Sequence, residues 1–238
     1  HQGGPDEDMD REAIAHAMEN VEDDGAGGAG DDTYYVDDAK NTIADDSGND
    51  MVYATVSYAL VEGLENLTLT GTLAINGTGN ALNNRITGNA GNNSLAGGDG
   101  DDTLIGGAGN DVLAGGNGTD TVSYAGTTGN VTVSLALTTA QVTGGAGTDT
   151  ITTVENLVGG SGNDTLTGTT GANRIEGGAG NDTLLGGDGS DDIRGGAGND
   201  SIDGGAGGYD RVDYVTATAA ATTLATLASI STLRKKTL

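Results

Sequence analysis

Gly97-Gly98-Asp99-Gly100-Asp101-Asp102-Thr103-Leu104-Ile105 runs without a gap into Gly106-Gly107-Ala108-Gly109-Asn110-Asp111-Val112-Leu113-Ala114. Both stretches fit one nine-residue beat, Gly-Gly-x-Gly-x-Asp-x-aliphatic-x. The beat returns at Gly177, Gly186 and Gly195. Weaker copies extend it into two arrays. Units of the first start at Gly79, Gly88, Gly97, Gly106 and Gly115. Units of the second start at Gly159, Gly168, Gly177, Gly186, Gly195 and Gly204. Asn84, Asn93 and Asn173 replace the aspartate in three weak units, and the last unit carries an extra residue before Asp210. Isolated copies at Gly27 and Gly144 have no evident partner in register.

Each position has a chemical reading. Glycine at positions one, two and four admits φ > 0, so the turn can aim several carbonyl oxygens at one centre. In the strong units these are Gly97, Gly98 and Gly100; Gly106, Gly107 and Gly109; and Gly115, Gly116 and Gly118. In the second array they are Gly177, Gly178 and Gly180; Gly186, Gly187 and Gly189; and Gly195, Gly196 and Gly198. The first six positions read as a turn, and the aspartate at position six adds a carboxylate. Positions seven to nine read as a short strand with position eight inward. That core would be Ile86, Leu95, Leu104, Leu113 and Val122, then Leu166, Ile175, Leu184, Ile193, Ile202 and Val212.

If strands alternate between two sheets, one coil takes two units. Asp102 then stacks over Asp120, and Asn93 over Asp111. Asp164 stacks over Asp182 and Asp200, and Asn173 over Asp191 and Asp210. Carboxylates one strand spacing apart repel unless a cation lies between them. Calcium accepts about six to eight oxygens in flexible geometry, whereas magnesium is stricter and gives up water reluctantly.

Composition points the same way. The chain of 238 residues has 45 Gly, one Pro and no Phe, Trp or Cys. It carries 35 acids against 9 Lys and Arg, a net charge of −26. A large aromatic core is excluded. One aliphatic per unit is too thin a core to offset the ordering of the chain. The expectation is a chain that folds in extracellular calcium and is largely disordered at cytosolic calcium. The charge disfavours nucleic acid and anionic membrane as partners. No apolar run spans a membrane, and no cleavable N-terminal signal is visible.

Other motif matches are products of composition. Gly25 to Gly30 fits GxGxxG, but a phosphate loop is physically poor beside so many acids. His1 and His16 are the only histidines, and no HExxH motif, nucleophile elbow or Ser/His/Asp set is present. The acid pairs read as metal ligands rather than as an acid/base pair. No catalytic residue is expected in this segment.

The arrays, with Leu64-Glu65-Asn66-Leu67 and Val154-Glu155-Asn156-Leu157 ahead of them, resemble the RTX, or haemolysin-type, calcium-binding repeat family. The resemblance implies an all-β parallel β-roll, a two-sheet β-helix solenoid with several Ca2+ between stacked turns. It implies side-chain ligand roles for Asp102, Asp111, Asp120, Asp164, Asp182, Asp191, Asp200 and Asp210, with Asn93 and the turn glycines completing the set. It also implies export from a Gram-negative bacterium through type I secretion machinery, with folding outside the cell.

The chain divides into six stretches. Residues 1–26 read as an acidic linker or short helix, Asp6 to Glu22. Residues 27–78 hold leading strands, with Val52, Ala54, Val56, Tyr58 and Leu60 alternating, and one isolated repeat. The first array is 79–124. Residues 125–158 hold intervening strands, with Val131, Val133, Leu135 and Leu137 alternating, and the other isolated repeat. The second array is 159–214, and 215–238 is a cap or secretion-signal-like tail. A start at His1 rather than Met reads as a fragment or processed product. The first functional reading is a secreted or surface-displayed calcium-binding roll that stabilises or displays its protein. The second is a calcium-dependent matrix, surface-layer or adhesin subunit forming homo-oligomers or filaments. The third is the C-terminal part of a type I-secreted enzyme or toxin with its catalytic domain upstream.

Overall fold

Two successive repeats make one coil of a parallel solenoid. The computed structural model describes residues 25–45, 47–213, 223–224 and 230–234. The helix expected over residues 6–22 and most of the 215–238 tail lie outside them. Among the described residues there is no helix. One face of the solenoid is a single eleven-stranded sheet that begins at Thr33–Val36 and ends at Ile230–Arg234. It passes through both arrays without interruption, because Thr121–Ser123 of the first pairs in parallel with Asn156–Val158, which pairs with Arg174–Ala179 of the second.

The register follows position eight. Ile86 pairs with Leu104, Leu104 with Val122, Val122 with Leu157, Leu157 with Ile175, and Ile175 with Ile193. On the opposite face Leu166 pairs with Leu184 and Leu184 with Ile202. These side chains fill the interior and are essentially solvent-free. Positions seven and nine stand on the outer faces. There Tyr35 and Tyr53 stack at 5.5 Å between ring centres. Several strands are longer than the three residues read from the beat. Ser94–Asp99 pairs with Val112–Asn117 through Gly98↔Gly116 and Asp99↔Asn117, so positions one to three extend the strand before the chain turns.

Residues 125–158 break only the second face. There Gln141–Gly144 and Gly147–Thr152 form the single antiparallel pair among the described strands. Gly147–Thr152 continues the first array's sheet through Leu113↔Ile151, while Thr132–Ser134 starts a new sheet through Val133↔Leu166. The Gln141 side-chain amide bridges the seam. Its Oε1 accepts from Ser134 N–H at 2.8 Å, and its Nε2 donates to Ser134 C=O at 3.0 Å. The alternation expected over 131–137 ends early: Val131, Val133 and Leu135 are buried, but Leu137 is half exposed in the turn after Thr132–Ser134. The isolated Gly144 unit, expected to lack a partner, stacks in register beneath the Gly106 unit.

Candidate metal centres

Two side-chain ladders run along the turns, in opposite directions. In the inner one, each position-six backbone N–H donates to the position-six carboxylate of the next coil. Asn84 donates to Asp102 and Asp102 to Asp120, Asn93 to Asp111, Asp164 to Asp182, Asp182 to Asp200, Asn173 to Asp191 and Asp191 to Asp210. All these bonds are 2.7–3.1 Å long. In the outer one, position-five N–H groups donate backwards to the preceding coil. Asn181 donates to Asn163 Oδ1, Asn199 to Asn181 Oδ1, and Asp101 to Asn83 Oδ1. Sequence reasoning missed this outer ladder, although the run of Asn at position five was its signal.

The inner ladder uses one oxygen of each carboxylate. Asp102, Asp111, Asp120, Asp182 and Asp191 have a second oxygen, Oδ2, that is buried with no hydrogen-bond donor. A carboxylate oxygen buried without a partner is costly. Burial pushes the carboxyls of Asp102, Asp111 and Asp191 up to about 6 and that of Asp182 up to about 7. The donated N–H opposes this rise, and facing carboxylates add to it: Asp120 for Asp102, and Asp164 and Asp200 for Asp182. Donor-less oxygens of stacked acids, which share the space at the position-one glycine with a carbonyl of the next coil, fit a hard, oxygen-loving cation such as calcium.

The glycines divide into two kinds. At positions two and four the backbone has positive φ, as at Gly178 (109°) and Gly180 (120°). Position one, expected to share that need, lacks positive φ in the strong units. Gly177 is required for space instead. A Cβ there would strike Asp182 Oδ2 and the carbonyl of Gly195 in the next coil.

Elsewhere along the turns the same oxygen is satisfied by protein. The Asn84, Asn93 and Asn173 Oδ1 atoms accept the N–H groups of Asn80, Asn89 and Thr169. Their amide NH2 groups donate to carbonyls of the preceding coil: Asn84 to Leu64, Asn93 to Ile75 and Asn173 to Glu155. Asp164 Oδ2 accepts from Gly160 N–H at 2.7 Å. Asp149, of the Gly144 unit, accepts from Asp111 N–H on Oδ1. Its Oδ2 takes the Tyr124 hydroxyl at 2.9 Å and the Thr143 hydroxyl at 3.1 Å. Burial and the Asp149 carboxylate push the Tyr124 phenol up, so it stays a donor.

Two further residues take the position-six role. Glu65 Oε2 accepts from Asp50 N–H at 2.9 Å, and Glu155 Oε2 from Asp120 N–H at 2.8 Å. Glu65 follows Asp50 by 15 residues, against 18 in the regular coils. The extra methylene of glutamate supplies the reach that these irregular turns lose. The echoed Leu/Val-Glu-Asn-Leu segments were the visible signal.

A two-sheet parallel solenoid with carboxylate ladders along its turns is the architecture of a calcium-binding β-roll. A sequence model of the RTX calcium-binding nonapeptide repeat matches residues 26–55, 78–113, 87–122, 96–131, 158–193 and 185–208. These matches cover more than half of the chain, and the chain belongs to that family. No curated protein matches it. Among the described residues no helix is long and apolar enough to cross a membrane.

Proposed function

We propose that this chain is a calcium-triggered folding module of an exported protein, with Asp102, Asp111, Asp120, Asp182 and Asp191 as the principal side-chain ligands. The observation that carries the reading is the set of five buried, donor-less Oδ2 atoms. Asp164, Asp200 and Asp210 complete the stacks from above and below, and the turn glycines offer carbonyls. Asn93, with its amide committed to Asn89 and Ile75, serves as a cap at the start of its stack. Bound calcium supplies the positive charge that the stacked carboxylates otherwise lack. The ladder N–H groups hold each carboxylate in place, the position-one glycines keep the space open, and the aliphatic column orders the coils.

Cytosolic calcium leaves such a chain dominated by self-repulsion, and extracellular millimolar calcium closes the roll. Family membership supports a secreted or surface location and passage through type I secretion machinery in the unfolded state. Circular dichroism during a calcium titration tests the reading. A β signal should appear cooperatively on addition of calcium. A full β signal in excess chelator at neutral pH sinks it.

A further inference from the structure

Positive charge is gathered on one side of the roll. Arg85, Arg174, Arg194, Arg211 and Arg234 all lie on strands of the unbroken eleven-stranded sheet, and Lys40 is the one other Lys or Arg among the described residues. On three successive strands, Arg174–Ala179, Asp192–Ala197 and Asp210–Asp213, positions seven and nine form two outward columns. Arg174 pairs with Asp192 and Asp192 with Arg211 in one column, while Glu176 pairs with Arg194 and Arg194 with Asp213 in the other. Sign alternates along each column and also across each strand, because Arg174 stands beside Glu176, Asp192 beside Arg194 and Arg211 beside Asp213. This checkerboard is neutral, in a chain of net charge −26. Within one copy its pairing is loose. Arg174 to Glu176, Arg194 to Glu176 and Arg194 to Asp213 are each 3.7 Å, beyond hydrogen-bond reach. Arg211 grips Asp192 more closely, at 2.9 and 2.5 Å, yet the side chains of Arg174 and Arg211 stay half exposed. Exposed pairs of this kind add little to the stability of a single copy.

We propose that this face pairs with the same face of a second copy of the chain, about a two-fold axis parallel to the roll and midway between the two columns. Each column then meets the other column of the partner. Arg174 faces the partner's Glu176, Asp192 faces the partner's Arg194, and Arg211 faces the partner's Asp213. Every contact is between opposite charges, and the contact is isologous, as a two-fold requires. An antiparallel pairing centred on Asp192 would set Arg174 against the partner's Arg211 and Asp192 against the partner's Asp192. One centred between Arg174 and Asp192 would match those two rows and leave Arg211 without an acid. The rest of the molecule offers no rival face, because the turns carry the excess of acids and would repel a second copy. Eleven strands at about 4.8 Å spacing give a face about 50 Å long, with the two columns about 7 Å apart. A flat strip of that size falls at the small end of stable interfaces, which need about 800 Å² per partner. The pair is therefore reversible and sensitive to salt, and it extends from the charged block over uncharged neighbours such as Thr103, Thr121 and Val158. No calcium ligand lies on this face.

Sedimentation velocity of the full chain in saturating calcium tests the pairing. A reversible dimer should form at low ionic strength and loosen as salt rises from about 0.05 to about 0.5 M. Arg194→Glu sets like charges against the partner's Asp192 and should weaken dimerisation by about tenfold or more. Asp192→Arg combined with Arg194→Glu makes one column wholly basic and the other wholly acidic. That double variant should restore dimerisation to within about threefold, since basic column meets acidic column only in the parallel arrangement. Arg174→Glu, alone and with Glu176→Arg, repeats the comparison at a more exposed row. Lys40→Glu, an equal charge change away from this face, should leave dimerisation within about twofold. Calcium-induced circular dichroism reads the folding function separately, so a folded monomer sinks the pairing and leaves that function intact. A calcium-folded chain that stays monomeric at low salt, or double variants that dimerise no better than their single parents, overturns the proposal.

Discussion

The backbone N–H of Asp102 donates to Asp120 Oδ1 at 2.9 Å, so the bond that stacks two coils also sets two like charges one above the other. The same bond occupies Oδ1 of the carboxylate, while Oδ2 is buried without a donor. Stacking and charge conflict are therefore one geometric fact, and it is the ground for the proposed dependence of the roll on cations.

Asp182 is the sharpest place to remove that conflict, since it stands between Asp164 and Asp200. Asp182→Asn should lower the number of calcium ions bound, as counted by isothermal titration calorimetry. It should also raise residual β structure in chelator, because one buried charge is gone. An unchanged stoichiometry would remove Asp182 from the ligand set.

Metal-free stability should fall as pH rises. The folded-state carboxyls of Asp102, Asp111 and Asp191 are raised to about 6 and that of Asp182 to about 7, against roughly 4 in an unfolded chain. Between those values the folded state binds more protons, so protonation favours it. The stability these groups contribute is fully present below about pH 4 and lost as pH rises through about 6 to 7. In chelator, circular dichroism should show more β structure near pH 4.5 than near pH 7.5.

Gly177→Ala and Gly171→Ala separate lack of space from glycine content. At Gly177 a Cβ collides with Asp182 and with the next coil's backbone, whereas at Gly171 it meets only Thr169 Oγ1 at 3.7 Å. The first should destabilise the calcium-loaded roll by about 3 kcal/mol or prevent its closing. The second should be neutral or stabilise by about 0.5 kcal/mol, because the unfolded chain loses freedom. Denaturant melts in saturating calcium compare them.

Glu155 tests the reach argument. Glu155→Asp should lose the bond to Asp120 N–H and cost about 1 kcal/mol. Glu155→Gln keeps an acceptor of the same length and should cost less. Equal melting temperatures for the two variants would mean that side-chain length is irrelevant at this turn.

Much of the fold was legible because period and geometry coincide. Position-eight residues from Ile86 to Val212 occupy the interior as the nine-residue beat demands, and the 18-residue coil places Asp182 against Asp164 and Asp200. Legibility failed where spacing changes. Asp149 stacks under Asp111 across 38 residues, a separation that no count of repeats suggests. Glu65 and Glu155 change both spacing and residue type, so their shared role with aspartate is visible only in three dimensions. Position-one glycine was misread because sequence shows the absence of a side chain but not whether a torsion or a neighbour requires it.

The seam at Gln141 gives the rod a mechanical bias. Flexing that opens the unbroken face must part main-chain rungs of the eleven-stranded sheet. Flexing that opens the other face at Ser134 meets the Gln141 side-chain amide and the Gly145 N–H to Asn130 C=O bond in place of a continuous ladder. The roll is thus a beam with a crease, stiff when bent one way and yielding when bent the other, and axial tension runs down its uncreased side.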